Sequence, residues 1–162
     1  MLPRFSILSL PASVLGIGKE VVRHLLRRPV VGICAAGRTD DDRWLLIRRA
    51  DTGTWALPGG TLEWGETLRA GLARELAEEA GVDEAEIERV VGVYSRPDRD
   101  PRFHAVTIIV RARIAPPVRP PKNPLEIREA RLFPRSELPP LGAMGMEDFL
   151  AAALRDGETE LE

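Results

Sequence analysis

The sequence predicts one mixed α/β domain, and three observations lead there. At 162 residues the chain is long enough for a single core that buries roughly two-thirds of its unfolded surface, and too short for two. Apolar residues make up 44% and charged residues 30%, which places it with folded globular chains and away from disordered ones. Short apolar runs bounded by turn residues alternate with three stretches that read as helices.

In chain order, Val14, Ile17, Val21, Val22 and Leu25 recur at three- and four-residue spacing between Ser13 and Arg28, and Pro29 follows as a stop. This predicts an amphipathic helix. The preceding FSILSLPASVLGIG (5–18) has one arginine before it, a central proline and too few apolar residues for a membrane span. It is read as a docked segment, not a targeting signal. VVGICAAG (30–37) and RWLLIRR (43–49), joined by RTDDD, read as two strands. Cys34, on the first, reads as a small buried thiol. A lone cysteine forms no internal disulfide, which fits a reducing, cytoplasmic setting.

TWALPGG then leads into a helix from an N-cap at Thr67 to about Ala80, stopped by Gly81. IERVVGVYS and FHAVTIIVRARI read as two longer strands, PPVRPPKNP (116–124) as a surface loop, EARLF as a short strand and MEDFLAAALRD (146–156) as a closing helix. The tail GETELE is expected to fray. Net charge is −2, and the 21 arginines form no continuous basic run. That argues against a general nucleic-acid binder.

The chemistry lies in GGTLEWGETLRAGLARELAEEAGV (59–82), which holds five glutamates. Stepping about 100° per residue from Leu68 puts Leu72 near 40° and Leu76 near 80°, with Glu79 near 20°, Glu75 near 340° and Glu78 near 280°. The carboxylates therefore overlap the edge of the apolar stripe. A solvated face would lie opposite the leucines and pair Glu with Lys or Arg at i+4, but Glu75 meets Glu79 at that spacing. Two carboxylates about 5 Å apart repel by roughly 3 kcal/mol at an effective dielectric of 20, so a positive partner is required. Arg74 reaches Glu78 or Glu66 but cannot neutralise the whole cluster. Hard oxygen donors without histidine or thiolate favour Mg²⁺, with Mn²⁺ second. Gly71 either opens space over the carboxylates or is a packing glycine.

The spacing from Gly60 through Glu66, Arg74-Glu75-Leu76 and Glu78-Glu79 to Gly81-Val82 meets every fixed position of G-x5-E-x7-R-E-U-x-E-E-x-G-U, with U aliphatic. The chain resembles the Nudix hydrolases, over about residues 29–155. The resemblance implies an α/β/α sandwich around a mixed β-sheet, with residues 1–28 an extension, 29–156 the Nudix domain and 157–162 a tail. It also implies hydrolysis of a nucleoside diphosphate linked to another group, with Glu75, Glu78, Glu79 and the Gly59 carbonyl as metal ligands and Arg74 with Glu66 as the pair that orients them. The proton of the attacking water would pass to Glu78, Glu79 or a loop glutamate, Glu126 or Glu129, with Glu126 preferred.

Outside that box, Pro97 lies fifteen residues beyond Val82, a placement similar to that in ADP-ribose pyrophosphatases. Arg48, Arg96, Arg99 and Arg102 are candidates for phosphate contacts, since the arginine fork suits a bidentate grip. Trp55 is a candidate for base stacking; Trp44, His24 and His104 read as structural. The motifs associated with NADH- and coenzyme A-cleaving members are absent. ADP-ribose or a nucleotide sugar leads, a nucleoside triphosphate pyrophosphatase follows, and a non-catalytic nucleotide sensor stands third. The expected partners are a small-molecule nucleotide and a second copy of the chain, with no nucleic acid or membrane.

Overall fold

A computed structural model describes residues 28–142 and 144–162 together with Ile17 and Val22. The helix expected over 13–28 thus lies outside the described residues, except that Ile17 and Val22 are helical and exposed. The two apolar runs form β1 (Val30–Arg38) and β2 (Arg43–Arg49), and two very short strands follow, β3 (Trp55–Ala56) and β4 (Gly59–Thr61). Helix α1 spans Leu68–Ala80 and leads to β5 (Ala85–Tyr94), β6 (Ala105–Ile114) and β7 (Ile127–Pro134). A 3₁₀ turn (Arg135–Glu137), helix α2 (Met146–Leu154) and strand β8 (Glu160–Leu161) complete the chain.

The eight strands form one mixed sheet in the order β3-β2-β1-β6-β5-β8, with β4 added beside β1 and β7 beside β2. Its spine is the parallel pairing of β1 with β6, in register from Val30 opposite Ala105 to Arg38 opposite Arg113. Both strands are continuously apolar at their centres, as strands covered on both faces must be. Leu72, Leu76 and Ala80 of α1 pack towards β1, β2, β4 and β7, while Phe149, Leu150 and Ala153 of α2 pack towards β5, β6 and β1. The α/β/α arrangement expected from the resemblance is the one that forms.

Two expectations are corrected. TWALPGG is not simply a lead-in: Gly59 to Thr61 pair antiparallel with Gly32 to Cys34. The approach is so close that a Cβ on Gly59 would collide with the Ile33 carbonyl and Cys34. Nor does the tail fray, because β8 pairs parallel with β5 and Thr159 donates to the Val90 carbonyl at 2.8 Å. Among the described residues no helix is long and apolar enough to cross a membrane.

Candidate active site

Helix α1 starts where Thr67 accepts a hydrogen bond from the Ala70 N–H, and it stops at Gly81, whose φ of 66° is left-handed. Between these caps Glu75 is buried, while Glu78 and Glu79 are partly covered. Arg74 grips Glu66 at two points, Nε to Oε1 at 2.9 Å and Nη2 to Oε2 at 3.1 Å, and its Nη1 donates to Glu75 at 2.9 Å. Lys122, from the proline-rich loop, donates to Glu78 at 2.7 Å.

Among the described residues Glu79 receives only the Gly59 N–H, at 2.7 Å. Burial pushes its carboxyl up to about 8, and the neighbouring charges of Glu75 and Glu126 add to the shift. Burial also raises Glu75, against the pull of Arg74. Glu66 and Glu78 move the other way, lowered by Arg74 and by Lys122 respectively. Glu75 has the Arg74 guanidinium bonded to it, whereas Glu79 has only the Gly59 N–H and the more distant charge of Arg49 to set against its burial.

Glu79 and Glu126 both line a cleft of about 350 Å³ that opens between the ends of β1 and β4, the loop 95–104 and the start of α2. They also line an adjoining hollow with Glu75, Glu78 and Lys122. Glu129, expected on the same loop, lies instead on β7 and pairs with Arg48 and Arg131. The same cleft is also lined by Arg49, Arg96, Arg99, Arg102 and Phe103.

Several candidates stand elsewhere. Arg48 donates to the Gly53 carbonyl at 3.0 Å and lies over Trp55. Trp55 meets Phe133 edge to face at 4.9 Å, and Arg131 also lies over its ring. Pro97 is exposed, and none of Arg48, Trp55 and Pro97 lines the cleft. Arg99 lines it, but its guanidinium is bound to Glu162 and Asp148. Arg102 is paired with Asp100 at 2.7 Å. Gly71 is a packing glycine, since a Cβ there would press on Leu62 and Glu66. Cys34 is buried, its thiol pushed up to about 12, and Trp44 is in the core. His104 bonds the Ser95 carbonyl at 2.8 Å, whereas His24 lies outside the described residues.

Two residues of the cleft and its rim escape a reading by pattern. Arg49, not its neighbour Arg48, lines the cleft, because successive strand residues face opposite ways and the pairing of β2 with β7 shifts between them. Lys122 sits in a loop whose proline content hides its destination.

The donors fit a hard dication. Four carboxylates gather at one helix edge, two of them, Glu79 and Glu126, without an ion-pair partner among the described residues. No three such groups already converge at ligand distance among the described residues, because Arg74 holds Glu75 and Lys122 holds Glu78. Seating an ion would therefore exchange Lys122 for the ion at Glu78.

The fold and the acidic helix define a class, and comparison with known families agrees: residues 26–153 match the NUDIX domain. The chain belongs to the Nudix family. It is similar to an ADP-ribose pyrophosphatase of Methanocaldococcus jannaschii, 44% identical over 72 residues, 43% of this chain and 42% of that protein. A MutT-like protein of Streptomyces ambofaciens is 47% identical over 73 residues, 44% of this chain and 47% of that protein. The matched stretch spans less than half of either curated relative. The crystal structure of an ADP-ribose pyrophosphatase from Streptococcus suis superposes with a TM-score of 0.67 at 26% identity, covering 83% of this chain and all of that one.

Proposed function

We propose that this chain hydrolyses the diphosphate linkage of a nucleoside diphosphate derivative, ADP-ribose or an NDP-sugar, with Mg²⁺ or, second, Mn²⁺, releasing a nucleoside monophosphate and a sugar phosphate. The observation that carries the reading is one cleft lined both by Glu79 and Glu126, which have no ion-pair partner among the described residues, and by the arginines Arg49 and Arg102. A diphosphate bridging a hard cation and a guanidinium suits that polarity.

In this reading Glu75, Glu78, Glu79 and the Gly59 carbonyl hold the metal, and the Arg74–Glu66 pair keeps α1 and the preceding loop in place around them. The bound ion supplies charge neutralisation at the diphosphate and a water of lowered pKa. Glu126, on the loop side of the cleft, takes the proton of the attacking water, and Glu79 and Glu78 are the alternatives on the helix. Arg49 and Arg102 grip the phosphate beyond the scissile bond; their partners Asp51 and Asp100 are local aspartates that a phosphate displaces.

A second reading, a nucleoside triphosphate pyrophosphatase, draws support from the MutT-like relative. A nucleotide sensor without turnover is the third, and the complete box speaks against it. Incubation with Mg²⁺ and a panel of ADP-ribose, nucleotide sugars and nucleoside triphosphates decides among them by products. AMP with ribose phosphate supports the first reading, and a nucleoside monophosphate with pyrophosphate supports the second. Binding without hydrolysis of any member overturns both. A cytoplasmic location and a homodimer formed through residues 1–28 belong to the same proposal; equal monomeric sedimentation of the full chain and of residues 29–162 removes the dimer.

A further inference from the structure

The cleft that holds Glu79 and Glu126 is also lined by the loop 95–104, which is neither helix nor strand yet carries Arg96, Arg99, Asp100, Arg102 and Phe103 to it. An irregular segment grips a ligand well only where something holds it in place beforehand. Here that hold comes from the far end of the chain. Strand β8 runs beside β5 with Gly92 opposite Glu160 and Val93 opposite Leu161. The Glu162 N–H donates to the Val93 carbonyl at 3.0 Å. The Glu162 side chain is thereby delivered to the point where β5 ends and the loop begins.

At that point one carboxylate collects three anchor points of the loop, Ser95, Arg96 and Arg99. Its Oε2 accepts the N–H groups of Ser95 at 3.0 Å and Arg96 at 2.9 Å. Arg99 closes on it with Nε at 3.0 Å and Nη2 at 2.6 Å. Arg99 also lies over the rings of Tyr94 and Phe149, 4.9 and 5.5 Å from their centroids, and donates to Asp148 at 3.0 Å. The loop is thus tied to α2, whose Met146 and Phe149 complete the same wall. Charge-assisted bonds to backbone amides and a two-point guanidinium grip are the strong members of their class.

We infer that Glu162 is a positioning residue for substrate binding: it fixes the loop 95–104, and with it Arg102 and Phe103, as a wall that meets the substrate in the cleft of the carboxylates. The inference rests on the hydrolase reading above. It gives Arg99 a role other than direct phosphate contact. The hydrophobic core does not depend on this contact, because Leu161 is exposed and the apolar face of α2 packs without the tail. Loss of the Glu162 charge should loosen the wall and leave the domain folded.

The test uses the full chain as wild type, Glu162→Gln and Glu162→Asp, with Mg²⁺ and ADP-ribose. In Glu162→Gln, amide exchange at Ser95 and Arg96 should quicken about tenfold and KM rise about tenfold, with kcat changed less than about twofold. The thermal midpoint should stay within about 2 °C, and Glu162→Asp should recover part of KM. An unchanged KM overturns the inference, as does a midpoint that falls in step with the loss of binding. If the wild type cleaves neither ADP-ribose nor a nucleotide sugar, the substrate reading fails by itself. The exchange of Ser95 and Arg96 then decides the positioning role: slow exchange retained in Glu162→Gln rejects it, and quickened exchange upholds the hold on the loop.

Discussion

Glu79 bears the highest electrostatic cost at the site. Its carboxyl is pushed up to about 8 by burial and by Glu75 and Glu126, so in the metal-free protein it holds a proton that the unfolded chain releases above its ordinary 4.5. The sign follows: its contribution favours folding below about 4.5 and is lost as pH rises through about 8. Glu79→Gln should therefore raise metal-free stability at pH 8.5 by about 1–3 kcal/mol, measured by denaturant unfolding. The same change should lower turnover by about a hundredfold or more, because a metal donor is gone. Activity near wild type would remove Glu79 from the mechanism. The neighbours Arg48 and Arg49 give a second contrast. Arg49→Met should raise KM about tenfold while Arg48→Met leaves it within about twofold, since only Arg49 lines the cleft. A reversed order would show that the strand was read on the wrong face.

At the scale of elements, the ends of α1 hold the acids in register. Thr67→Ala removes the bond from the Ala70 N–H and should cost about 1 kcal/mol. Gly81→Ala should cost more, because the residue is left-handed and a Cβ would collide with the Arg119 carbonyl. Thermal midpoints ranked wild type, Thr67→Ala, Gly81→Ala would agree. Strand β8 supplies a pH test. Arg99 and the Ser95 and Arg96 N–H groups hold the Glu162 carboxyl down at about 2. Its contribution is thus present above the ordinary 4.5 and lost as pH falls from there towards 2. Arg96 and Asp148 face the same cluster. Protection of the Ser95 and Arg96 amides should fall over that interval, and flat protection would exclude the contact.

For the molecule as a whole, the crowding of carboxylates links metal binding to stability. Millimolar Mg²⁺ should raise the thermal midpoint more at pH 8.5 than at pH 6, because a proton on Glu79 competes with the ion. Glu79→Gln should abolish most of that difference. An equal rise at both values would place the ion away from Glu79. Such a comparison reads the site without relying on turnover.

The strands β1, β2, β5 and β6, both helices and the acidic cluster were legible in the chain, because each depends on local periodicity or on fixed spacing along one helix. The box could be read whole since its acids and its leucines share α1. What local pattern does not carry is which of two adjacent strand residues faces a cleft, where a proline-rich loop delivers Lys122 and Glu126, and whether a polar tail finds a partner. Arg48 and Trp55 lie off the cleft for the first reason, and the tail pairs with β5 for the last. Those outcomes are set by pairing between distant segments, such as β8 against β5 or the shifted register of β2 against β7. A one-residue slip there reverses every side chain, so only the assembled sheet decides them.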